Sequence, residues 1–357
     1  MRRYLPLAVA TVTAVTLQVV TVAAGAPYLL TQLTMSVASS LTILGLCLLM
    51  GYAGQISLGH AGFAAIGGYT SAVLTTLDLR AVAETTLFRL LRQLHVIVGR
   101  TDPYGAEILS VAPWAAVVAA LCFAGVAALV IGVPTLRLRG HYLAMATLGF
   151  GLIVNRILLG VPALGGADGI SGVPPFRLLG LEISGRIPLR VENYYVACGM
   201  AVAALFLSVN LVHSRVGRAL RAIHDSEEAA EALGVNTARY KLATFVLSAI
   251  LAAMAGVFLA HYTGGTGPSE ATVMRSIRYV SIVAVGGMGS IWGAMVTAVV
   301  LSFLSLRGVF GTLDDAVFGA ILVAVMVFSP QGLPGLAAAA RSVARGVAKS
   351  RGTPRDR

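Results

Sequence analysis

The sequence predicts an all-α, polytopic membrane protein with about 8 to 10 transmembrane helices, some of them broken or half-length, and a short cytoplasmic helix. Composition is the first reason. Of the 357 residues 57% are hydrophobic and only 11% are charged, and the mean hydropathy is +0.85, whereas a soluble domain has about 25% charged residues. The second reason is that the apolar residues form runs of about 20, the number that a helix needs to cross a bilayer.

Seven apolar runs can form complete spans, and two later regions are irregular. The seven runs lie near residues 5–24, 28–50, 61–77, 112–133, 142–159, 194–212 and 242–262. Region 276–304 is broken by the glycines of VGGMGSIWG, and region 316–328 is short. We interpret residues 1–26 as an uncleaved first helix, because their apolar run is longer than the roughly 7 to 15 residues of a signal-peptide core.

The net charge of +11 does not indicate a nucleic-acid partner, because so little of the chain is polar. Its distribution instead predicts the orientation, since Lys and Arg in short loops mark the cytoplasmic side of a membrane protein. Both termini, the loop containing Arg137 and Arg139 and the charged segment 214–241 are therefore assigned to the cytoplasm. This arrangement requires region 276–304 to contribute an even number of crossings, so we interpret it as a broken pair of helices.

The same scheme gives the organisation of the chain. Residues 1–340 are expected to form a single transmembrane domain of a multi-pass cell-membrane protein. Loops 79–111 and 160–193 would be external. Residues 341–357 would form a basic cytoplasmic tail, which we expect to be disordered.

A glycine-rich stretch at residues 51–74, GYAGQISLGHAGFAAIGGYTSAVL, lies at the junction of the second and third runs. Unwound backbone at membrane depth is tolerated only where protein or a polar cavity surrounds it. Discontinuous helices of this kind often build the substrate sites of transporters. Gln55, Ser57 and His60 are therefore candidates for the translocation pathway, and tight helix packing through small residues is the alternative.

The longest charged segment after residue 111 carries the signals of a short capped helix. Asp225 is the predicted N-cap, Glu228 has the capping-box spacing, and Gly234 is the predicted helix stop. The helix between them, residues 226–233, is about 12 Å long and is marginal in water without a surface to pack on. A solvated loop with a self-capped turn is the alternative. A narrow helical face suits a groove on a partner protein and consists of Ala219, Ile223, Ser226, Ala230 and Leu233.

A series of motifs resembles a known family. The motifs are GYAGQISLGHAGFAAIGGYT, LRLRGHYLAMATLGF, GGADGISGVP, SRVGRALRAIHDSEEAAEALGVNTARYKLATFVLSAILAAMAG, VGGMGSIWG and SPQGL, and they run in order over residues 51–333. Together they resemble the permeases of the branched-chain (hydrophobic) amino acid transport family, which belong to the ABC importers. The set covers most of the chain but not its first helix, its tail or the 79–111 loop.

The resemblance implies a role for the charged segment and a set of partners. In such permeases a coupling helix docks on the ATPase subunit, and the matching residues here are Glu228, Ala229, Ala230 and Gly234. Asp225 would cap this helix. Arg218 and Arg221 would pair with acidic groups of the ATPase or with anionic lipid headgroups, and a solvated surface role is the equal alternative. The expected partners are ABC ATPase subunits that carry ATP and Mg²⁺, a second homologous permease, an extracytoplasmic solute-binding protein and the lipid bilayer.

The remaining residues indicate a transport subunit without chemistry of its own. Neither Lys241 nor Lys349 lies in a G-x-x-x-x-G-K-[ST] phosphate loop, so ATP would be hydrolysed on another chain. Cys47, Cys122 and Cys198 each lie alone in an apolar run, as small core residues without metal-ligand spacing. We therefore predict no enzyme activity, no metal site and no cofactor bound by this chain.

The sequence leaves other functions open. Urea, short amides or a sugar are alternative cargoes for the same architecture. A passive channel is a remote alternative, since interrupted helices also line channels. An intramembrane protease is another, because GISG at 169–172 matches a G-x-S-G string. Ser171 would then need a base such as His261 within hydrogen-bond reach.

Overall fold

The computed structural model describes residues 5–80, 96–101, 107–135, 140–178 and 180–328. Within these ranges the chain is mostly helical, which confirms the all-α class, and five helices are long and apolar enough to cross a membrane. Some predicted features lie outside the described residues. They are the loop with Arg137 and Arg139, the motif SPQGL, most of loop 79–111 and the tail 341–357.

Twelve α-helices lie within the described ranges, and we number them in chain order. The first six are α1 (Leu5–Ala23), α2 (Tyr28–Tyr52), α3 (His60–Thr76), α4 (Pro113–Thr135), α5 (His141–Gly160) and α6 (Arg190–His213). The others are α7 (Arg215–Asp225), α8 (Glu227–Ala232), α9 (Thr237–Thr263), α10 (Val273–Gly286), α11 (Ile291–Leu306) and α12 (Asp314–Phe328). Each apolar run that the sequence predicted as a span therefore has a helix.

Short antiparallel strand pairs, which the sequence did not predict, connect some of these helices. The pairs are β1 (Ile97–Thr101) with β2 (Glu107–Val111), β4 (Phe176–Leu178) with β5 (Leu181–Ile183), and β3 (Ile170–Ser171) with β6 (Gly265–Thr266). Because β6 directly follows α9, the last pair fixes the loop between α5 and α6 to the end of α9.

Helices α2 and α9 form the centre of the bundle. α9 packs on α2, α3 and α4, and α2 also packs on α6 and α11. In the apolar segment of α2 94% of the residues are buried, against 33% in α4 and in α5. α4 and α5 are therefore peripheral, and their exposed apolar side chains are of the kind that a bilayer covers.

Glycines bring α3 unusually close to α9. A methyl group at Gly256 would lie 1.9 Å from the carbonyl oxygen of Ala64, and one at Gly67 would lie 2.3 Å from the carbonyl oxygen of Ala253. Only glycine allows the two backbones to approach so closely. Gly67 therefore serves helix packing, which was the alternative that the sequence offered for the glycine-rich stretch.

The glycine-broken region forms two helices, which confirms the predicted broken pair. Gly287, at φ +89°, makes the turn between α10 and α11. The hydroxyl of Tyr52 donates to the carbonyl of Gly289 at 2.9 Å, so this turn lies beside the end of α2. α11 then runs antiparallel to α2, and Gln32 near the start of α2 donates through Nε2 to the carbonyl of Leu306 at 3.4 Å.

Candidate functional site

The charged segment between α6 and α9 contains two short helices, where the sequence predicted one. The hydroxyl of Ser214 caps α7 by accepting from two backbone N–H groups of its first turn. α7 is amphipathic, since Leu220 and Ile223 are buried while Arg218 and Arg221 are exposed. α7 therefore packs on its own subunit through its apolar face and leaves its basic face exposed.

Ser226, and not Asp225, is the N-cap of α8. Asp225 is the last residue of α7, whereas Ser226 is extended at φ −159° and ψ 110° and accepts from the N–H of Ala229 at 3.3 Å. Serine and aspartate cap helices equally well, and nothing in the sequence ended α7 after Asp225. The predicted N-cap was therefore wrong, and the capping-box position falls on Ala229 instead of Glu228. Gly234 ends the segment at φ +81°, as predicted.

The helical face that was predicted to contact a partner is only partly exposed. Ala230 is 1% exposed and Ile223 is 4% exposed, so these two residues pack within the subunit and do not form a face for a partner. That part of the prediction was wrong, because Ile223 of α7 and Ala230 of α8 are needed to hold these two short helices on their own protein. Leu233 is 82% exposed, and Glu228 and Ala229 are also exposed.

The break between α2 and α3 brings His60 beside the middle of α9. Residues 53–59 are not helical, and α3 begins at His60. His60 Nε2 lies 2.5 Å from the Oγ of Ser248, and its Nδ1 lies 3.0 Å from the Oγ of Ser57. Ser248 is the twelfth of the 27 residues of α9, so α3 begins inside the bundle. The predicted discontinuity is confirmed.

The three residues predicted for the pathway are brought together but are closed off in this structure. Gln55 is 3% exposed, and Ser57 and His60 are each 1% exposed. The Oε1 atom of Gln55 is buried without a hydrogen-bond partner among the described residues. Sequence analysis missed Ser248, whose only signal was a serine in the middle of an apolar run. A pathway role for these residues stays a prediction.

Two arginines of α10 bind carboxylates of their own chain. Arg275 Nη1 lies 2.5 Å from Glu270 Oε1. Arg278 Nη2 lies 2.7 Å from Asp314 Oδ2 and 2.7 Å from Asp315 Oδ1. The second group attaches the start of α12 to α10, which explains how a 15-residue helix that begins with two acidic residues is held against the bundle.

Two apolar grooves lie between described helices at the surface of the bundle, and exposed side chains such as Phe123 and Val296 line them. One, of about 810 Å³, lies between α3, α4 and α5, and the other, of about 510 Å³, lies between α1, α2, α6 and α11. Neither is lined by Gln55, Ser57 or His60, and no charged side chain lines either one. Their walls suit aliphatic groups.

The protease alternative lacks its base. Both ring nitrogens of His261 are engaged elsewhere, since Nε2 lies 2.7 Å from Ser71 Oγ and Nδ1 lies 2.7 Å from the Pro174 carbonyl oxygen. Ser171 belongs to the β3–β6 pair.

In the described ranges no group of three or more His, Cys, Asp or Glu side chains could hold a metal ion. Cys122 is exposed, so its prediction as a core residue was wrong.

Comparison with known proteins identifies the family. The family model described as "Branched-chain amino acid transport system / permease component" matches residues 28–326. The chain is 32% identical over 333 residues to the high-affinity branched-chain amino acid transport system permease protein LivM of Escherichia coli K12, which covers 86% of this chain and 71% of the relative. LivM of Salmonella typhimurium is 32% identical over 324 residues, with 84% and 68% covered.

A second kind of permease also matches, over a shorter stretch. LivH of Escherichia coli K12 is 35% identical over 137 residues, which cover 38% of this chain and 44% of the relative. No solved structure matches the chain significantly. The match of the family model and the LivM relatives each extend over most of the sequence. The chain therefore belongs to the permease component family of branched-chain amino acid transport systems.

Proposed function

We propose that the chain is a membrane-spanning subunit of an ABC importer that carries branched-chain or other hydrophobic amino acids into the cell. Family membership supports the transport role, and the names of the LivM and LivH relatives support the cargo. Urea, short amides and sugars have no such support.

The observation that carries the coupling role is the exposed side of α7 and α8. We name the docking surface by the exposed residues Arg218, Arg221, Glu228, Ala229 and Leu233. The two helices project between the end of α6 and the start of α9, and α7 packs through Leu220 against the end of α2. A force on this surface would thus reach three long helices. A passive channel has no use for such a surface.

The proposed assembly follows from the docking surface. ATP and Mg²⁺ bind to ABC ATPase subunits, which contact α7 and α8 in the cytoplasm, while a second homologous permease completes the membrane part. A solute-binding protein delivers the amino acid on the opposite side, where loop 160–193 is the proposed contact. Both termini are then cytoplasmic. Arg218 and Arg221 bind acidic groups of the ATPase or anionic headgroups.

The proposed pathway opens at the break between α2 and α3. Gln55 supports this assignment, because its buried Oε1 is unpaired in the described structure and is able to accept a hydrogen bond from an ammonium group. His60 and Ser57 would lie beside the cargo once the helices separate. Buried unpaired polar groups are uncommon and often mark a functional site.

Substitution of Leu233 by aspartate tests docking. Burial of a leucine contributes about 1.5 to 3 kcal/mol, so its loss should weaken binding to the ATPase by about tenfold or more. The measurement is the amount of ATPase that copurifies with the permeases, together with ATPase stimulation and leucine uptake in proteoliposomes. Val309, which is 61% exposed and follows α11, gives the matched control Val309→Asp. Ala230 is unsuitable for this test because it is buried.

Unchanged copurification and uptake in Leu233→Asp would refute the docking surface.

The cargo is tested separately with the complete assembly and its binding protein. Uptake of labelled leucine should be reduced by unlabelled isoleucine and valine but not by urea, acetamide or ribose. Competition by urea or a sugar would instead support one of the alternative cargoes.

A further inference from the structure

Two side-chain bonds fasten α8 to the first turns of α9. Lys241 Nζ lies 2.5 Å from Glu227 Oε1, and the hydroxyl of Thr237 donates to Glu231 Oε1 at 2.6 Å. Residues four apart lie on the same face of a helix, so both acidic residues are on one face of α8 and both of their partners are on one face of α9. We call these four residues the α8–α9 clamp.

The ion pair of the clamp, Lys241–Glu227, is largely shielded from water. The side chain of Lys241 is 11% exposed and that of Glu227 is 24% exposed. A lysine is rarely buried to this degree unless it is paired, and removal of one partner leaves an uncompensated charge. The backbone closes the C-terminal end of α8, since the N–H of Val235, which precedes α9, donates to the carbonyl of Ala230 at 3.0 Å. α8 is therefore held at both of its ends.

Beyond the clamp, α9 reaches the break between α2 and α3. Ser248, which holds His60, lies seven residues after Lys241, a distance of about 10 Å along a helix. A methyl group at Gly45 of α2 would lie 2.9 Å from the carbonyl oxygen of Ser248, so α2 also packs tightly at this level. A rigid connection thus runs from α8 along α9 to the residues proposed for the pathway.

We infer that Glu227, Glu231, Thr237 and Lys241 are positioning residues that make α8 and α9 one rigid body, so that displacement of α8 moves α9 against the α2–α3 break. The inference rests on the proposed function. A six-residue helix is not stable by itself, so without the clamp it would bend or unwind under load. The four clamp residues do not belong to the docking surface.

The test uses the complete transporter in proteoliposomes and measures leucine moved per ATP hydrolysed. Lys241→Met keeps an unbranched apolar side chain that is one atom shorter than lysine, and it removes the charge. We expect ATPase copurification and ATP hydrolysis to persist while leucine moved per ATP falls about fivefold or more, a change equivalent to about 1 kcal/mol. Exchange of the charges in Glu227→Lys/Lys241→Glu should restore at least about half of the ratio, because the pair re-forms. Arg239→Met, which removes an exposed charge from the same helix, is the matched control.

Each result of this test either supports or overturns the clamp. An unchanged ratio in Lys241→Met, or no rescue by the exchanged pair, overturns the clamp. Loss of ATPase copurification in Lys241→Met also overturns it, because the residues would then act on docking. If Lys241→Met does not fold, Thr237→Val, which removes a single hydrogen bond, should lower the ratio about twofold. A normal ratio there refutes the inference. ATP-independent uptake by the wild type would instead refute the proposed function.

Discussion

Replacement of Gly256 by alanine tests the packing of α3 on α9, which sets the position of the α2–α3 break. The new Cβ would lie 1.9 Å from the carbonyl oxygen of Ala64 and 2.7 Å from its carbonyl carbon. Real Cβ atoms essentially never come within 3.0 Å of another heavy atom, so the helices must separate by about 1.1 Å, which is 3.0 minus 1.9. The obstacle is backbone, which cannot rotate away as a flexible side chain would.

The energetic cost follows from what crosses this interface. His60 bonds to Ser248 at 2.5 Å and Ser71 bonds to His261 at 2.7 Å, on either side of Gly256. A separation of 1.1 Å would stretch both contacts beyond 3.5 Å and so break them. Interhelical hydrogen bonds in membranes contribute about 0.6 kcal/mol each, and overpacking costs about 1 to 3 kcal/mol. We expect the free energy of unfolding to fall by about 2 to 4 kcal/mol.

The assay is SDS-induced unfolding of the purified protein in mixed micelles, followed by the fluorescence of Trp114 and Trp292. Gly199→Ala is the matched control, because a methyl group at this exposed position in α6 would meet nothing within 4 Å. The control should change stability by no more than about 1 kcal/mol, the difference in helix propensity between the two residues. A Gly256→Ala protein as stable as the wild type would refute the packing argument.

Two further predictions concern the other breaks in the helices. Gly287→Ala should destabilise the protein by about 1 to 3 kcal/mol, because φ +89° at the turn between α10 and α11 is strained for any residue with a Cβ. Gly289→Ala is the control and should not destabilise the protein, because a methyl group there would meet nothing within 4 Å. Equal melting temperatures of the two variants would contradict this prediction. Gln55→Leu should lower leucine uptake about fivefold or more without lowering stability, since it removes an unpaired buried oxygen. Normal uptake would exclude Gln55 from the pathway.

The helices themselves could be predicted closely from composition. The run at 61–77 became α3 at His60–Thr76, and the run at 112–133 became α4 at Pro113–Thr135. An apolar run in a membrane protein has one stable solution, because only a helix satisfies its backbone within the segment. The break between α10 and α11 was predicted from the glycines of VGGMGSIWG together with charge, since basic residues at both ends of the chain favoured an even number of crossings.

The candidate site was predicted less well, because its details depend on competing local choices. Ser226 and Asp225 are equally good N-caps, and only the folded chain selects the serine. Glu227 and Glu228 are adjacent in sequence, and the tertiary structure decides that Glu227 binds Lys241. Nothing in the sequence distinguishes Glu227, which binds Lys241, from Glu228, which is exposed.

The sequence by itself determined that this is a multi-pass helical membrane protein with interrupted helices and a short charged helical segment, because hydropathy and charge act on each stretch of chain independently of the others. The tertiary structure decided which faces of that segment are buried, which serine holds His60, and which carboxylates bind Lys241, Arg275 and Arg278. These pairings join residues that are distant in the chain or equivalent in their chemistry. Their choice depends on how α9 packs against α2, α3 and α8, which no local pattern encodes.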